Sequence, residues 1–249
     1  MITWLQGEVI DKKQWCADLF SIRINLEVDL PFIAGQFVIV GLDYKGAKIH
    51  KPYSLINTPE DDFLEVHLNT VQNGKFSPLL TDVNKGDTVY ISNKPSGLLT
   101  LEEVPDGVKN LWLCATGTGI GPFLSILHTD EPWQRFNNII VCYSTKTANE
   151  MAYRDDFEAL ENSYPEQFHF IPFVTREQTS NAIHSRLTTF LASGELEKQL
   201  GLSLKPDSNH VMLCGNSSML DDATQILEKK GLRRHSRQQP GNIAIEKYF

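Results

Sequence analysis

The chain is poor in cysteine, and its few cysteines are not spaced as metal ligands. Its 249 residues include four, at positions 16, 114, 142 and 214, and no two of them form a C-x-x-C pair. Zinc sites and iron–sulfur clusters need closely spaced cysteines, so the sequence predicts neither. We expect free buried thiols and the reducing environment of the cytoplasm, without a disulfide framework.

Long apolar runs and an excess of positive charge are also missing. No run approaches the roughly 18 apolar residues that a membrane span requires, and residues 1–5 lack the basic and apolar regions of a secretory signal. Lys and Arg number 23 against 31 Asp and Glu, which gives a net charge of −8 and disfavours non-specific binding to nucleic acid. We therefore expect neither a membrane nor a nucleic acid as partner.

The composition that remains is that of a folded protein with room for two domains. Hydrophobic residues make up 41% and charged residues 22% of the chain, which is typical of a globular fold. The first hundred residues contain strand-like segments at 7–11, 19–26, 36–42, 53–56, 63–71 and 88–92, with turn signals at 43–46 and 84–87. This spacing predicts an antiparallel β-barrel or sandwich, with one short helix near 77–80.

The pattern changes after a linker-like Val104-Pro105-Asp106-Gly107. Apolar strands at 110–115, 138–143, 168–174 and 210–214 then alternate with helical segments at 123–128, 152–164, 187–191 and 219–231. Such alternation predicts a doubly wound parallel sheet with helices on both faces. We therefore expect two domains, at 1–101 and 102–249.

A glycine-rich turn, Thr116-Gly117-Thr118-Gly119-Ile120-Gly121-Pro122, follows the first parallel strand and opens a helix. Glycines there let the backbone approach a pyrophosphate at the helix N-terminus. Pro122 stands where a G-x-G-x-x-G motif has its third glycine, so the match is incomplete. A plain glycine-rich turn between a strand and a helix would show the same pattern.

Basic residues follow the next two strands. Lys146 comes just after the second strand, where an NAD-binding unit would have Asp or Glu for the ribose hydroxyl. Arg176 follows the third strand, and Arg186 lies further on. Cations at these positions suit a 2′-phosphate. Each of them alone could equally be a solvated surface charge, whereas all three behind the glycine-rich turn favour the phosphate interpretation.

Two motifs of the first half also fit a phosphate and a planar ring. In Lys51-Pro52-Tyr53-Ser54, the alternation of a strand puts Lys51 and Tyr53 on one face, with Ser54 offering a hydroxyl. Gly74-Lys75-Phe76-Ser77-Pro78 begins a short helix and is a second candidate phosphate-binding site. The alternative for the first motif is a surface lysine beside a half-buried tyrosine.

The fourth parallel strand ends at Cys214-Gly215-Asn216. Ligands of doubly wound sheets bind beyond the carboxyl ends of the strands, which would place Cys214 at the mouth of a cleft. Simple packing of a lone thiol is the alternative.

Four of these motifs, at residues 51–54, 74–78, 117–122 and 214–216, occur in the order found in the ferredoxin–NADP reductases. The chain most resembles the short bacterial ferredoxin/flavodoxin type of this family. The resemblance implies a barrel that binds FAD non-covalently and an α/β domain that binds NADP(H). It also implies the activity: a hydride passes from NADPH to FAD across the domain cleft, and single electrons then pass reversibly to ferredoxin or flavodoxin. We expect a monomer.

The resemblance also implies roles for individual residues. It gives catalytic roles to Tyr53, stacked on the flavin ring, to Ser54 and Cys214 in the hydride-transfer zone, and to Glu246 as a proton relay. It implies cofactor-binding roles for Lys51, Pro52, Tyr53, Ser54, His67, Leu68, Asn69, Lys75, Phe76 and Ser77 around FAD; for Thr116, Gly117, Thr118, Gly119 and Gly121 at the turn; for Lys146, Thr175, Arg176 and Arg186 at the 2′-phosphate; for Met212, Cys214, Gly215 and Asn216 beside the nicotinamide; and for Tyr248 and Phe249 against the flavin.

The sequence departs from the family pattern at three of these positions. Lys51 and Lys146 stand where arginine is usual, which keeps the charge but loses bidentate binding of phosphate. Phe249 stands in place of tryptophan, which keeps a stacking face but loses an N–H donor. A frayed terminus is the alternative for these last residues.

Two other functions stay open on the sequence alone. One is an NADPH-dependent flavin or diaphorase-type reductase with small acceptors, and the other is an FAD electron-transfer subunit of a larger complex. A protein carrier would need a local basic surface on this acidic chain, and residues 229–237, which include no acidic residue, are the candidate. A solvated helix end would show the same run of charge.

Overall fold

The computed structural model describes residues 2–247, and its first strands form a six-stranded antiparallel sheet. The strands are β1 (Trp4–Cys16), β2 (Leu19–Leu26), β3 (Phe37–Tyr44), β4 (Ala47–Ser54), β5 (Leu64–Asn69) and β6 (Thr88–Ser92). They are ordered β4-β3-β6-β1-β2-β5. An antiparallel bridge between Leu55 and Val66 joins the two ends of this order. The predicted antiparallel barrel is thereby confirmed.

Alternation along the strands fills the barrel core. Val38 and Val40 of β3 and Val66 of β5 are fully buried and belong to one apolar cluster, because every second side chain of a strand points to the same face. The short helix α1 (Ser77–Asp82) adds Leu80 to this cluster. The barrel core is thus a hydrophobic interior, to which Tyr53 and Phe76 also contribute.

The second sheet is parallel, with the order β11-β10-β7-β8-β9. Its strands are β7 (Asn110–Thr116), β8 (Asn138–Thr145), β9 (Phe168–Val174), β10 (Asn209–Gly215) and β11 (Ile243–Lys247). Every residue of β10 is buried, as expected for a central parallel strand covered on both faces. The predicted parallel-sheet architecture is confirmed.

Helices connect these strands. They are α2 (Gly121–Leu127), α3 (Glu131–Arg135), α4 (Arg154–Ser163), α5 (Leu187–Ser193), α6 (Glu195–Leu200) and α7 (Ser217–Lys229). Leu191 of α5 and Leu227 of α7 pack in one apolar cluster with Val211 of β10. In the described residues, no helix combines the length and the apolar character needed to cross a membrane.

The chain divides into two compact units whose boundaries do not follow the sequence strictly. The first comprises the residues up to Thr100 together with Gly121–Thr129, and the second comprises Leu101–Ile120 and the residues from Asp130 onward. Helix α2 therefore belongs to the first unit. There, the buried Ser125 hydroxyl donates a hydrogen bond to the Asn57 carbonyl at 2.6 Å.

Asparagines begin three parallel strands and precede a fourth. The Asn138 amide donates to Asn110 Oδ1 at 2.8 Å, and the Asn110 amide donates to Asn209 Oδ1 at 3.2 Å. The Trp112 indole N–H also donates to Asn209 Oδ1, at 2.9 Å, and the Asn242 amide donates to the Asn209 carbonyl at 3.1 Å. This network ties the amino ends of the strands together, at the edge opposite to the glycine-rich turn.

Several elements differ from the sequence prediction. Strand β4 begins at Ala47 and not at Tyr53. It lies at the end of the strand order, where one side of the strand remains unpaired over most of its length. A polar stretch with a proline is compatible with such an edge strand, but it does not show the apolar alternation that predicts a strand. Strand β11 and helices α3 and α6 were not predicted. Each of them has only five or six residues, which is too short to show a clear periodicity.

Candidate cofactor-binding sites

The glycine-rich turn lies directly against the end of strand β10. After Thr116 the chain forms a 3-10 turn, Gly117–Ile120, and α2 begins at the buried Gly121. A Cβ atom at Gly119 would lie 2.5 Å from the Cys214 carbonyl oxygen. Gly117 has a φ of +54°, and a Cβ there would meet no atom within 4 Å. One glycine therefore permits close packing, and the other leaves open space beside the turn.

Thr116 and Asn216 lock the ends of β7 and β10 together. The backbone N–H and the side-chain amide of Asn216 both donate to Thr116 Oγ1, at 3.0 and 3.1 Å. Asn216 Oδ1 accepts from the Met219 N–H and so caps α7. Gly215 has a φ of +143°, and a Cβ there would lie 2.0 Å from Thr116 Oγ1. Thr116 Oγ1 accepts these two hydrogen bonds and donates none to a described residue, so its hydroxyl proton can be donated to a ligand.

The predicted phosphate-binding cations lie at the ends of β8 and β9. Pairing continues past both strands, with the Thr175 N–H donating to the Thr145 carbonyl at 3.1 Å and the Arg176 N–H to the Lys146 carbonyl at 2.9 Å. Arg186 directly precedes α5. The side chains of Lys146, Arg176 and Arg186 are exposed, and none of them makes an ion pair within residues 2–247. Unpaired cations at adjacent strand ends are suited to an anionic ligand.

The basic segment 229–237 is different. Three of its cations form ion pairs with glutamates: Lys230 with Glu197, Arg234 with Glu228 at 3.1 Å, and Arg237 with Glu103 at 2.7 Å. His235 Nε2 also lies 2.9 Å from Glu103. Lys229 and Arg233 are exposed and make no ion pair with any described residue, so much of the charge counted in the sequence is neutralised locally.

The two predicted flavin motifs of the first unit meet through an aromatic contact. Tyr53 is buried near the end of β4, and its ring centroid lies 6.1 Å from that of Phe76. Burial raises the pKa of the Tyr53 phenol, which is therefore neutral at pH 7. Ser54 is also buried, whereas Lys51 and Lys75 are exposed. The contact places both lysine-bearing segments beside the same pair of rings.

The segment before Ser77 is a tight, internally bonded turn. The Gly74 N–H donates to the Val71 carbonyl at 2.7 Å, and the Val71 N–H donates to Ser77 Oγ at 3.0 Å. A Cβ at Gly74 would lie 3.0 Å from the Val71 carbonyl oxygen. Glycine therefore fits this position for a steric reason.

His67, Leu68 and Asn69, the other predicted flavin contacts, have different surroundings. The His67 side chain is buried, with Nδ1 3.0 Å from Ser21 Oγ, which in turn accepts from the Trp15 indole N–H at 2.9 Å. Burial lowers the pKa of His67 to about 3, so the ring is neutral at pH 7. Leu68 packs in the barrel core, whereas Asn69 is exposed.

Residues predicted beside the nicotinamide line the last part of β10. Met212 and Cys214 are fully buried, and Cys214 is aligned with Glu246 of β11. Burial, reinforced by the Glu246 carboxylate, raises the pKa of the Cys214 thiol, which is therefore neutral at pH 7. Tyr248 and Phe249 lie outside the described residues.

Two carboxylates at this sheet edge were missed by the sequence analysis. Glu150 accepts from the Lys146 N–H at 3.3 Å, and Glu177 accepts from the Ala148 N–H at 2.6 Å. The sequence offers one signal for Glu177, which directly follows Arg176. Nothing in the sequence alone shows that it reaches the loop after β8.

Comparison with known proteins agrees with this arrangement. Residues 6–99 match the oxidoreductase FAD-binding domain family, and residues 113–225 match the oxidoreductase NAD-binding domain family. The flavodoxin/ferredoxin–NADP reductase of Buchnera aphidicola from Schizaphis graminum is 36% identical over 259 residues, covering 100% of both chains. The Escherichia coli K12 protein of the same name is 37% identical over 222 residues, covering 89% of each chain.

A solved structure shows the same fold over the full length. It is the ferredoxin NADP+ reductase of Neisseria gonorrhoeae with bound FAD and NADP, which superposes with a TM-score of 0.92 at 31% identity and covers 99% of both chains. Sequence identity above 30% over nearly the whole chain, together with this structural match, establishes the relationship. The chain belongs to the flavodoxin/ferredoxin–NADP reductase family.

Proposed function

We propose that the chain binds FAD and NADP(H) and transfers electrons between NADPH and ferredoxin or flavodoxin. The observation that carries the proposal lies at one edge of the parallel sheet. A glycine turn there has open space beside it, and the adjacent ends of β8 and β9 bear cations that make no ion pair with a described residue. When bound, the flavin accepts a hydride and releases electrons singly, which couples a two-electron donor to one-electron carriers.

The residues of the second unit fit an NADP(H) molecule. The open side of Gly117 leaves space for a phosphate, and the free hydroxyl proton of Thr116 can be donated to the ligand. Lys146, Arg176 and Arg186 would hold the 2′-phosphate, because exposed cations that form no ion pair with a described residue can turn to an anion without breaking one. Cys214, as a neutral thiol, would line the nicotinamide side without adding charge, with Glu246 as a proton relay.

The residues of the first unit fit FAD. Lys51 and Lys75 would hold the pyrophosphate, since both are exposed beside the Tyr53–Phe76 pair. Tyr53 would contact the flavin ring as a neutral aromatic side chain, and Ser54 would present its hydroxyl to a ring heteroatom. The protein thus supplies position and charge, while the flavin supplies the redox chemistry.

Tyr53 gives the first test. Protein purified from cells is expected to release one FAD per chain on heating, identified by chromatography. Tyr53→Ser is expected to weaken flavin binding about two- to twelve-fold, because an aromatic stack contributes about 0.5–1.5 kcal/mol beyond burial. Tyr53→Phe keeps the ring and should retain the flavin, as should Tyr44→Ser at an exposed tyrosine of β3. Release of FMN, or of no flavin, would contradict the proposal.

The carrier partner gives the second test. Ferredoxins and flavodoxins are generally acidic, so an acidic chain needs a local cationic surface to bind one. Lys229 and Arg233, which are exposed and form no ion pair within residues 2–247, would provide it. Replacing both with glutamate is expected to slow carrier reduction about three- to ten-fold at low salt, because the reversed charges repel an acidic carrier. The difference should shrink at high salt, which screens interactions between exposed charges. Reduction of a neutral dye by NADPH should stay unchanged.

An exposed lysine elsewhere provides the matched control for this test. Lys85→Glu makes one charge reversal, as Arg233→Glu alone does, in the turn between α1 and β6, and should leave carrier kinetics unchanged. If the Lys229→Glu, Arg233→Glu double variant keeps normal carrier kinetics at low salt, the carrier binds elsewhere.

Cytoplasmic location and a monomeric state belong to the same proposal. The four cysteines are free thiols, which supports a reducing compartment. Sedimentation of the holoprotein would measure its mass directly, and a value near 28.2 kDa plus the flavin is expected.

A further inference from the structure

Carboxylates, and not only cations, shape the loop that follows β8. The Lys146 N–H donates to Glu150 Oε2 at 3.3 Å, and the Lys146 carbonyl accepts from the Arg176 N–H at 2.9 Å. Two residues later, the Ala148 N–H donates to Glu177 Oε1 at 2.6 Å. Both backbone polar groups of Lys146 are therefore fixed, and a side chain from the loop after β9 fixes the loop after β8.

Glu177 is the unexpected member of this arrangement. It directly follows Arg176, is exposed, and makes no ion pair in the described part of the chain. Its carboxylate bonds a neutral backbone N–H, so the neighbouring cations stay available to an anion. A carboxylate near a bound phosphate is electrostatically unfavourable, because like charges repel. Its position is therefore better explained by the hydrogen bond that it accepts than by its charge.

We propose that Glu177 is a positioning residue for the nucleotide 2′-phosphate. By accepting the Ala148 N–H it joins the two loops that carry Lys146 and Arg176, and so keeps both cations on one side of the sheet edge. The preference for NADPH over NADH then depends on a side chain that bears the same sign of charge as the phosphate. This inference rests on the proposed function, since it assumes that these cations bind NADP(H).

The test compares two substitutions of Glu177 in the FAD-loaded protein, with NADPH- and NADH-dependent reduction of a small dye. Glu177→Ala removes the acceptor and is expected to raise the KM for NADPH about three- to ten-fold. This is less than the full effect of one charge-assisted hydrogen bond, because Glu177 acts through the position of the cations. The kcat and the KM for NADH should stay within about twofold of the wild-type values. Glu177→Gln keeps an oxygen that can accept the Ala148 N–H, so its KM for NADPH should stay near the wild-type value.

A reciprocal variant removes the same hydrogen bond from the other side. Ala148→Pro deletes the donor N–H while leaving Glu177 intact. Proline is compatible with the first position of a helical turn, and Thr147 before it is already extended, with φ −128° and ψ 160°. The same selective rise in the KM for NADPH is expected. Glu166→Gln, at an exposed carboxylate before β9, is the control for loss of one negative charge and should change neither KM.

The outcomes separate positioning from its alternatives. An unchanged KM for NADPH in Glu177→Ala, or an equal rise for both nucleotides, would overturn the positioning role. A lower KM for NADPH in both Glu177→Gln and Glu177→Ala would also overturn it, by showing that Glu177 acts through repulsion. Arg176→Ala is measured in parallel. If that variant also leaves the KM for NADPH unchanged, the proposed phosphate site itself is wrong.

Discussion

Arg176→Ala is expected to raise the KM for NADPH by tenfold or more and to leave the KM for NADH within about a factor of two. Hydrogen bonds to charged groups contribute about 1.5–3 kcal/mol each, and about 1.4 kcal/mol corresponds to a factor of ten. The Arg176 side chain is exposed and makes no ion pair within the described residues, so its removal breaks no ion pair there. Steady-state reduction of a small dye with each nucleotide measures the effect.

Controls for this substitution come from the same unit. Arg186→Ala and Lys146→Ala should shift the KM for NADPH in the same direction. Lys205→Ala removes an exposed cation shortly before β10, at the amino end of the sheet, and should shift neither KM. Equal losses with NADPH and NADH in Arg176→Ala would show that this residue does not contact the 2′-phosphate.

Asn209→Ala is expected to lower the free energy of unfolding substantially. Asn209 is fully buried and accepts from the Asn110 amide and the Trp112 indole, while its own amide donates to the Ser203 and Lys205 carbonyls at 2.8 and 2.9 Å. A buried polar group left without a partner costs about 1–3 kcal/mol. Loss of these contacts should lower the free energy of unfolding by about 3–5 kcal/mol and the Tm by roughly 8–15 °C.

A double-mutant cycle isolates the central contact of this network. Trp112→Phe removes the indole donor, so the Trp112→Phe, Asn209→Ala double variant should lose less stability than the sum of the two single variants. Asn162→Ala, at an exposed position of α4, is the control. Strict additivity of the two single effects would mean that Asn209 does not stabilise the protein through the Trp112 indole.

Local sequence patterns predict much of the fold and part of the candidate site. The apolar segment 168–174 matches β9 to the residue, because a buried parallel strand is a continuous apolar run between turns. Parallel strands end at one edge of a sheet, and that rule alone groups Lys146 with Arg176, which the hydrogen bond between their backbones now joins. The roles of these residues toward NADP(H) stay predictions.

What the sequence could not show are contacts between residues far apart along the chain. Thr116 and Asn216 are 100 residues apart, and no local pattern reveals that one hydroxyl accepts both N–H groups. The pairing of Glu177 with Ala148 depends in the same way on the register of β8 against β9. The number of basic residues in segment 229–237 also overestimates its free positive charge, because the glutamates that pair with Arg234 and Arg237 lie outside the segment.

The central claim is that this one chain takes a hydride from NADPH and passes electrons singly to a protein carrier. It is tested most directly by mixing the FAD-loaded protein anaerobically with NADPH and then with oxidised ferredoxin, while absorption is recorded. The flavin bands should bleach rapidly with NADPH and much more slowly with NADH, and ferredoxin should then be reduced at two molecules per NADPH. A flavin that NADPH does not bleach, or that bleaches but leaves ferredoxin and flavodoxin oxidised while reducing small dyes, would contradict the claim.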